Sequence, residues 1–205
     1  MRLEVAGIEN LHKAANRAGE INENTQLSPF LICPNHQSFL DPFVLCSNYQ
    51  FNLFRNIFHV GAKMFFETRT MRFIANMLNV VPIDQDTQLM RAMKAGAIGL
   101  KNGKVLNIYP EGERAFDGDL HEFKKGAAIL ATELEMPILP VALDGLQNVW
   151  ARRSWRIRPA KVKIRIGEPF FARDIEPDLS GEAKYDAVIN HLKSTIASMI
   201  AEMRK

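Results

Sequence analysis

Cysteine is scarce in this chain. Only Cys33 and Cys46 occur, with no CxxC spacing, so neither a disulfide framework nor a structural zinc site is expected, and a reducing cytoplasmic compartment fits best. Long apolar runs are missing as well. No stretch of about 18 apolar residues exists, so no membrane-spanning helix is expected. Residues 1–10 mix Arg2, Glu4 and Glu9 with apolar side chains, which is not a signal peptide. Repeats, low-complexity tracts and Pro/Gly/Ser-rich linkers are absent too, and residues 1–205 are expected to form a single domain. His12, His59, His121 and His191 lack metal-ligand spacing and read as surface or packing residues. A net charge of +3 is too slight to indicate nucleic acid. What is present is an ordinary globular balance, 47% hydrophobic and 24% charged, which speaks against disorder.

Short apolar runs alternate with helical patterns. Residues 30–33, 80–83, 105–109, 138–143 and 161–166 read as strands. Helices are expected from Ser38, as N-cap, through Leu45; over 89–100, capped by Asp86 or Thr87 and ended by Gly103; and over 123–135, ended by Pro137. Residues 182–203 carry Tyr185, Val188, Ile189, Leu192, Ile196, Met199, Ile200 and Met203 at helical spacing. That pattern suits a helix packed on the core or one lying on a membrane. The alternation predicts an α/β fold with a mixed, mostly parallel sheet flanked by helices. Sites in such sheets gather where strands end, which singles out residues 34–41 and 110–118.

Both loops hold chemistry-bearing residues. His36 follows an apolar strand, and Asp41 stands five positions on, where a helical first turn can return its carboxylate to the imidazole. Such a carboxylate fixes the tautomer and stabilises the imidazolium, leaving the ring to act as a general base. Taken alone the spacing is weak, since a helix-capping Asp beside a structural His looks the same. In the second loop, Glu111-Gly112-Glu113-Arg114 follows Tyr109-Pro110. Gly112 permits a tight turn, Arg114 offers a planar fork suited to phosphate, and Glu111 either holds Arg114 or contacts a polar acceptor. A local Glu–Arg surface pair is the plainer reading.

In this order and spacing the pieces resemble the glycerolipid acyltransferases, the 1-acylglycerol-3-phosphate acyltransferases and their relatives. The likeness spans roughly residues 29–145. Asn35, His36 and Asp41 match the NHxxxxD motif; Glu111, Gly112 and Arg114 match the EGTR-type motif; Pro140 and Gly145 match the strand that follows. The resemblance implies transfer of a fatty acyl group from acyl-CoA or acyl carrier protein to a hydroxyl of a lysophospholipid or glycerol-phosphate-type acceptor. His36 would be the base, Asp41 its orienting partner, and Glu111, Gly112 and Arg114 substrate-binding residues. No metal or other cofactor is implied. A non-catalytic lipid- or carrier-binding module and a thioesterase-like hydrolase are the competing readings, although no G-x-S-x-G elbow is present. Departures from the family pattern are Glu113 for Thr, Ala115 for Ser, Gln85 for Arg and Asn79 for Gly. Gln85, which removes a phosphate ligand, and Glu113, which adds a negative charge, weaken the case for a lysophosphatidic-acid-like acceptor and leave a lysophospholipid with a larger head group as the other option. Glu113 and the opening residues 2–7 also resemble acyltransferase modules fused to acyl-activating ligases.

Both substrates would be acylated, so a peripheral position on the inner face of the membrane is expected. Residues 51–73 combine Phe51, Phe54, Phe58, Phe65, Phe66 and Phe73 with Arg55, Lys63, Arg69 and Arg72. Between Asp144 and Glu168 seven cations and no carboxylate occur, with Trp150 and Trp155 interleaved. Either stretch suits anionic lipid. Core packing of the Phe residues, and a solvated strand face at Lys161, Lys163 and Arg165, are the alternatives.

Overall fold

A computed structural model of the chain describes residues 2–16, 27–83, 88–115, 117–150, 156 and 158–205. The expected caps Asp86 and Thr87, the departure Gln85, and Arg152, Arg153 and Trp155 lie outside these.

The first half contains β1 (Arg2–Ala6), α1 (Ile8–Asn16), β2 (Leu31–Pro34), α2 (Asp41–Cys46), α3 (Phe51–Asn56), β3 (Ile57–Ala62), α4 (Arg69–Met77) and β4 (Val80–Ile83). The second half contains α5 (Gln88–Lys101), β5 (Val105–Asn107), α6 (Gly126–Glu133), β6 (Pro137–Asp144), α7 (Leu146–Val149), β7 (Lys161–Ile166), β8 (Phe170–Phe171) and α8 (Gly181–Met203). One mixed sheet runs β1-β7-β6-β2-β5-β3-β4, with β8 beside β6. Its pairings are parallel except where β6 meets β7 and β8.

Side chains alternate across a strand, so a two-faced sheet divides its apolar residues into two cores. In β6, Leu139, Val141 and Leu143 join one core and Ile138 and Ala142 the other. The first core takes α1, α2 and α3 through Leu11, Val44, Leu45 and Leu53; the second takes α5, α6 and α8 through Leu100, Leu130, Leu192 and Ile196. The helix at residues 182–203 is thus a core helix, with Val188, Ile189 and Met199 also buried. β7 has the expected period of two: Val162, Ile164 and Ile166 are buried while Lys161 is exposed. A Cβ at Gly99 of α5 would run into the Phe58 ring, so the close approach of α5 to β3 requires glycine there.

Local chemistry corrects some expectations. Ser38 does not cap α2. The helix begins at Asp41, with Pro42 in its first turn and no side-chain cap bond at Leu40. Tyr109 lies beyond β5 rather than within it. Asn79, where the family has Gly, adopts φ +50°, a conformation that Asn tolerates better than most residues. The Phe-rich stretch divides: Phe58 is buried, whereas Phe51, Phe65 and Phe73 are 67%, 52% and 69% exposed.

Candidate active site

β2 lies between β5 and β6 at the middle of the sheet, and the loops leaving β2 and β5 meet beyond their ends. Asn35 fixes the first loop. Its side chain donates to Leu143 O (3.0 Å) and accepts from Leu143 N (2.7 Å), so an amide continues the β2–β6 pairing past Pro34. Gln37 adds an acceptor for Leu146 N–H at 3.3 Å.

His36 and Asp41 come together. Nδ1 of His36 lies 2.7 Å from Asp41 Oδ2, and the same oxygen accepts the N–H groups of Gln37 (2.7 Å) and Ser38 (3.0 Å). An oxygen that already accepts two backbone N–H groups has no hydrogen of its own to offer the ring. The imidazole therefore carries its proton on Nδ1, and Nε2 is left as a base. The Asp41 side chain is 0% exposed and that of His36 19% exposed, so the carboxylate is shielded while the ring stays accessible. Tyr109 stacks on the imidazole at 4.0 Å and 23°. Burial, and next the charge of Asp41, push the Tyr109 hydroxyl well above its usual range, so it remains a neutral phenol.

Glu111 ties the two loops together. One oxygen accepts the His36 N–H at 2.7 Å and the other the His121 N–H at 3.1 Å. Ala115 N–H closes the link on His36 O at 2.8 Å. Glu111 therefore does not pair with Arg114, as a local reading of the loop had it. Arg114 is half-buried, and among the described residues it has no ion-pair partner. Gly112 has φ +74°, and a Cβ there would lie 2.7 Å from Lys124 Nζ, so the lysine passes directly over the turn. Nothing in its spacing revealed that Lys124 crosses the Gly112 turn.

Burial raises the Glu111 carboxyl above the ordinary carboxylate range, and the two backbone N–H groups draw it back down. The folded chain thus holds this proton more tightly than the unfolded one. The group's contribution to stability falls as pH rises from the unfolded pKa through the raised folded one. Glu111→Ala leaves two N–H donors without an acceptor, at about 1–3 kcal/mol each. We expect a lower urea midpoint at neutral pH and loss of that pH-dependent decline. An unchanged midpoint would mean that Glu111 does not hold the loops.

A second buried pair lies behind the site. His59 Nδ1 is 3.1 Å from Asn107 Nδ2, and burial pushes the imidazole pKa down to about 4, so His59 is a neutral packing residue. Among the described residues no three His, Cys, Asp or Glu side chains are grouped to hold a metal.

The family described as Acyltransferase matches residues 2–144. A 1-acyl-sn-glycerol-3-phosphate acyltransferase of Cocos nucifera is 30% identical over 108 residues, 51% of this chain and 35% of that protein. One from Pseudomonas aeruginosa is 30% identical over 104 residues, 49% of this chain and 40% of its own length. The chain thus matches well under half the length of either relative. The crystal structure of the 1-acyl-sn-glycerophosphate (LPA) acyltransferase PlsC from Thermotoga maritima superposes with a TM-score of 0.71, covering 98% of this chain and 72% of that one at 23% identity. That likeness concerns the fold. With the family match covering most of the sequence, including both motif loops, this chain belongs to the acyltransferase family.

Proposed function

We propose that the chain moves a fatty acyl group from a thioester, acyl-CoA or acyl carrier protein, to a hydroxyl of a lysophospholipid or glycerol-phosphate-type acceptor. The observation that carries this reading is the His36 ring, anchored through Nδ1 to buried Asp41 with Nε2 left as a base. Nε2 takes the acceptor's hydroxyl proton as its oxygen attacks the thioester carbonyl. The tetrahedral adduct then collapses, the C–S bond breaks, and the imidazolium returns the proton to the departing thiolate. The thioester supplies the activated acyl group, so this sequence balances without a cofactor. Asp41 stabilises the imidazolium between the two proton transfers. The planar fork of Arg114 and the cation of Lys124 over the Gly112 turn suit the phosphate of the acceptor or of the donor, and Gly112 supports that role by keeping its turn free of a side chain.

The substrates call for a position on the inner face of a membrane. Among the described residues no helix is long and apolar enough to cross one. Met64 (50%), Phe65 (52%) and Phe73 (69%) are exposed, with Arg69 and Arg72 exposed on the same stretch, a composition suited to anionic lipid. Flotation with phosphatidylglycerol vesicles checks this, and protein left at the bottom of the gradient counts against it.

The deciding assay offers radiolabelled acyl-CoA, and separately acyl carrier protein, with a panel of lysolipids and glycerol phosphate. Esterified product supports transfer and names both substrates. Free fatty acid alone would favour the hydrolase, and lipid binding without turnover a binding module.

A further inference from the structure

Behind the dyad lies a buried polar cluster. Asp41 spends only one of its two oxygens on the ring and the loop. The other, Oδ1, is buried and takes no hydrogen bond among the described residues. Three more buried atoms of this region share that condition: Asn107 Oδ1 and the hydroxyls of Tyr49 and Tyr109.

Contacts draw the four side chains to one place. Asp41 holds the His36 ring at 2.7 Å, and Tyr109 lies on the face of that ring at 4.0 Å. Asn107 stands two residues before Tyr109 and is fixed by His59, whose other ring nitrogen is 4.0 Å from Cys46 Sγ. Tyr49 follows Cys46 in a turn, its N–H bonded to Cys46 O at 3.1 Å. Asp41, Asn107, Cys46 and Tyr49 all act on the Tyr109 phenol, which sets its hydroxyl in the middle of the group.

A polar atom buried without a partner is costly, most of all on a carboxylate. The needs of these four are complementary. Asp41 Oδ1 and Asn107 Oδ1 only accept, and each tyrosine brings one hydrogen. A water molecule gives two hydrogens and receives two, so one water satisfies all four, within the range of about two to four bonds that a buried water makes.

We propose that a buried water held by Asp41, Asn107, Tyr49 and Tyr109 completes the dyad, with Tyr109 as a positioning residue whose ring seats the imidazole and whose hydroxyl orders the water. Its kinetic consequences rest on the acyl-transfer reading above; the water itself rests on the buried cluster alone. A water that donates to Asp41 favours the carboxylate over the acid. With that bond weakened, the Asp41–His36 pair keeps a proton to higher pH and the base is silenced there.

The groups around the dyad leave this effect readable. Burial pushes Cys46 up to about 12, pushes Tyr49 and Tyr109 up as well, and pushes His59 down to about 4. Glu111, raised by burial, and His121, raised by its bond to Asp117, are common to every variant compared.

The test has two arms. A high-resolution crystal structure of the parent protein should show a water within about 3.2 Å of both Asp41 Oδ1 and the Tyr109 hydroxyl. An Oδ1 without that water, or bonded directly to protein, overturns the proposal. The second arm follows kcat/KM against pH in the parent, Tyr109→Phe, Tyr49→Phe and the double variant, each checked by thermal unfolding. Tyr109→Phe keeps the stacked ring and should move the acid limb up by about one pH unit, the worth of one hydrogen bond to a charged group. A merely structural defect would lower the rate alike at every pH. Tyr49→Phe should move the limb in the same direction, and the double variant little further than Tyr109→Phe, because both hydroxyls act through one water. An unmoved limb in either folded single variant, or displacements that add in the double one, overturns the proposal. Absence of transfer in the parent would sink the acyl-transfer reading instead and leave the crystal arm to decide on the water.

Discussion

Replacing His36 with alanine should lower acyl transfer by about 10²- to 10⁴-fold, the range a positioned general base contributes, with little change in the unfolding midpoint. The ring lies at the end of its loop, 19% exposed, and its imidazole is bonded only to Asp41 among the described residues. The bonds that hold the loop belong to other groups. The backbone of residue 36 remains tied to Glu111 and Ala115, and Asn35 remains clamped on β6. The variant should still bind acylated ligand, because alanine removes only the proton-transferring ring and leaves the loop that carries it in place. Steady-state kinetics with the donor and acceptor named by the parent protein, alongside a urea melt, check both halves. Addition of free imidazole should restore part of the rate, which a merely structural defect would not allow. A variant that turns over at the parent's rate would remove His36 from the mechanism. One that fails to fold would assign the ring a packing role instead.

The case for His36 depends on partners that the sequence displayed unevenly. The His36–Asp41 spacing was readable, because the first turn of a helix begun near Ser38 can bring the Asp41 carboxylate back to the ring. The start of that helix was not. Asp41 reaches back to the N–H groups of Gln37 and Ser38, which precede it, whereas the N-cap expected at Ser38 would have accepted N–H groups that follow it. The partner of Glu111 stayed open for a related reason. Its nearest opposite charge in sequence is Arg114, but its actual partners are backbone N–H groups, which every residue carries and which leave no trace in composition. Asn35 is the same case, since its partner is the main chain of Leu143.

Legibility of the fold followed the same division. β7 and α8 announced themselves because one buried face imposes a period of two or 3.6 along the chain. β1 was not recognised as a strand. Its alternation is interrupted by exposed Val5 and Ala6, and what makes it a strand is parallel pairing with distant β7, from Arg2 opposite Lys161 to Ala6 opposite Arg165. In residues 51–78 local pattern failed altogether. Phe58 enters the core while Phe51, Phe65 and Phe73 do not, and hydrophobicity alone cannot tell a side chain that packs from one left exposed.

Asp41→Asn tests whether the dyad works as a unit. Asparagine keeps the size of the side chain, so the loop should close as before, and its carbonyl oxygen can still accept backbone N–H groups. Two things change. The amide cannot balance the charge of the imidazolium that the proposed proton transfer would form at His36. Its NH2 group, if turned toward the ring, requires an acceptor at Nδ1 and so places the proton on Nε2, where the base is needed. We expect kcat to fall by on the order of 10³- to 10⁴-fold, as when the orienting carboxylate of a Ser-His-Asp triad is replaced by its amide. The KM for either substrate should move little, since Asp41 is fully buried and touches neither. Asp41→Ala should match that kinetic loss and add a stability loss that Asn avoids, because it strips the acceptor from Gln37 and Ser38. If Asn retained most of the rate, Asp41 would be a structural acceptor for its own loop, and the tautomer of His36 would have to be set by something other than this carboxylate.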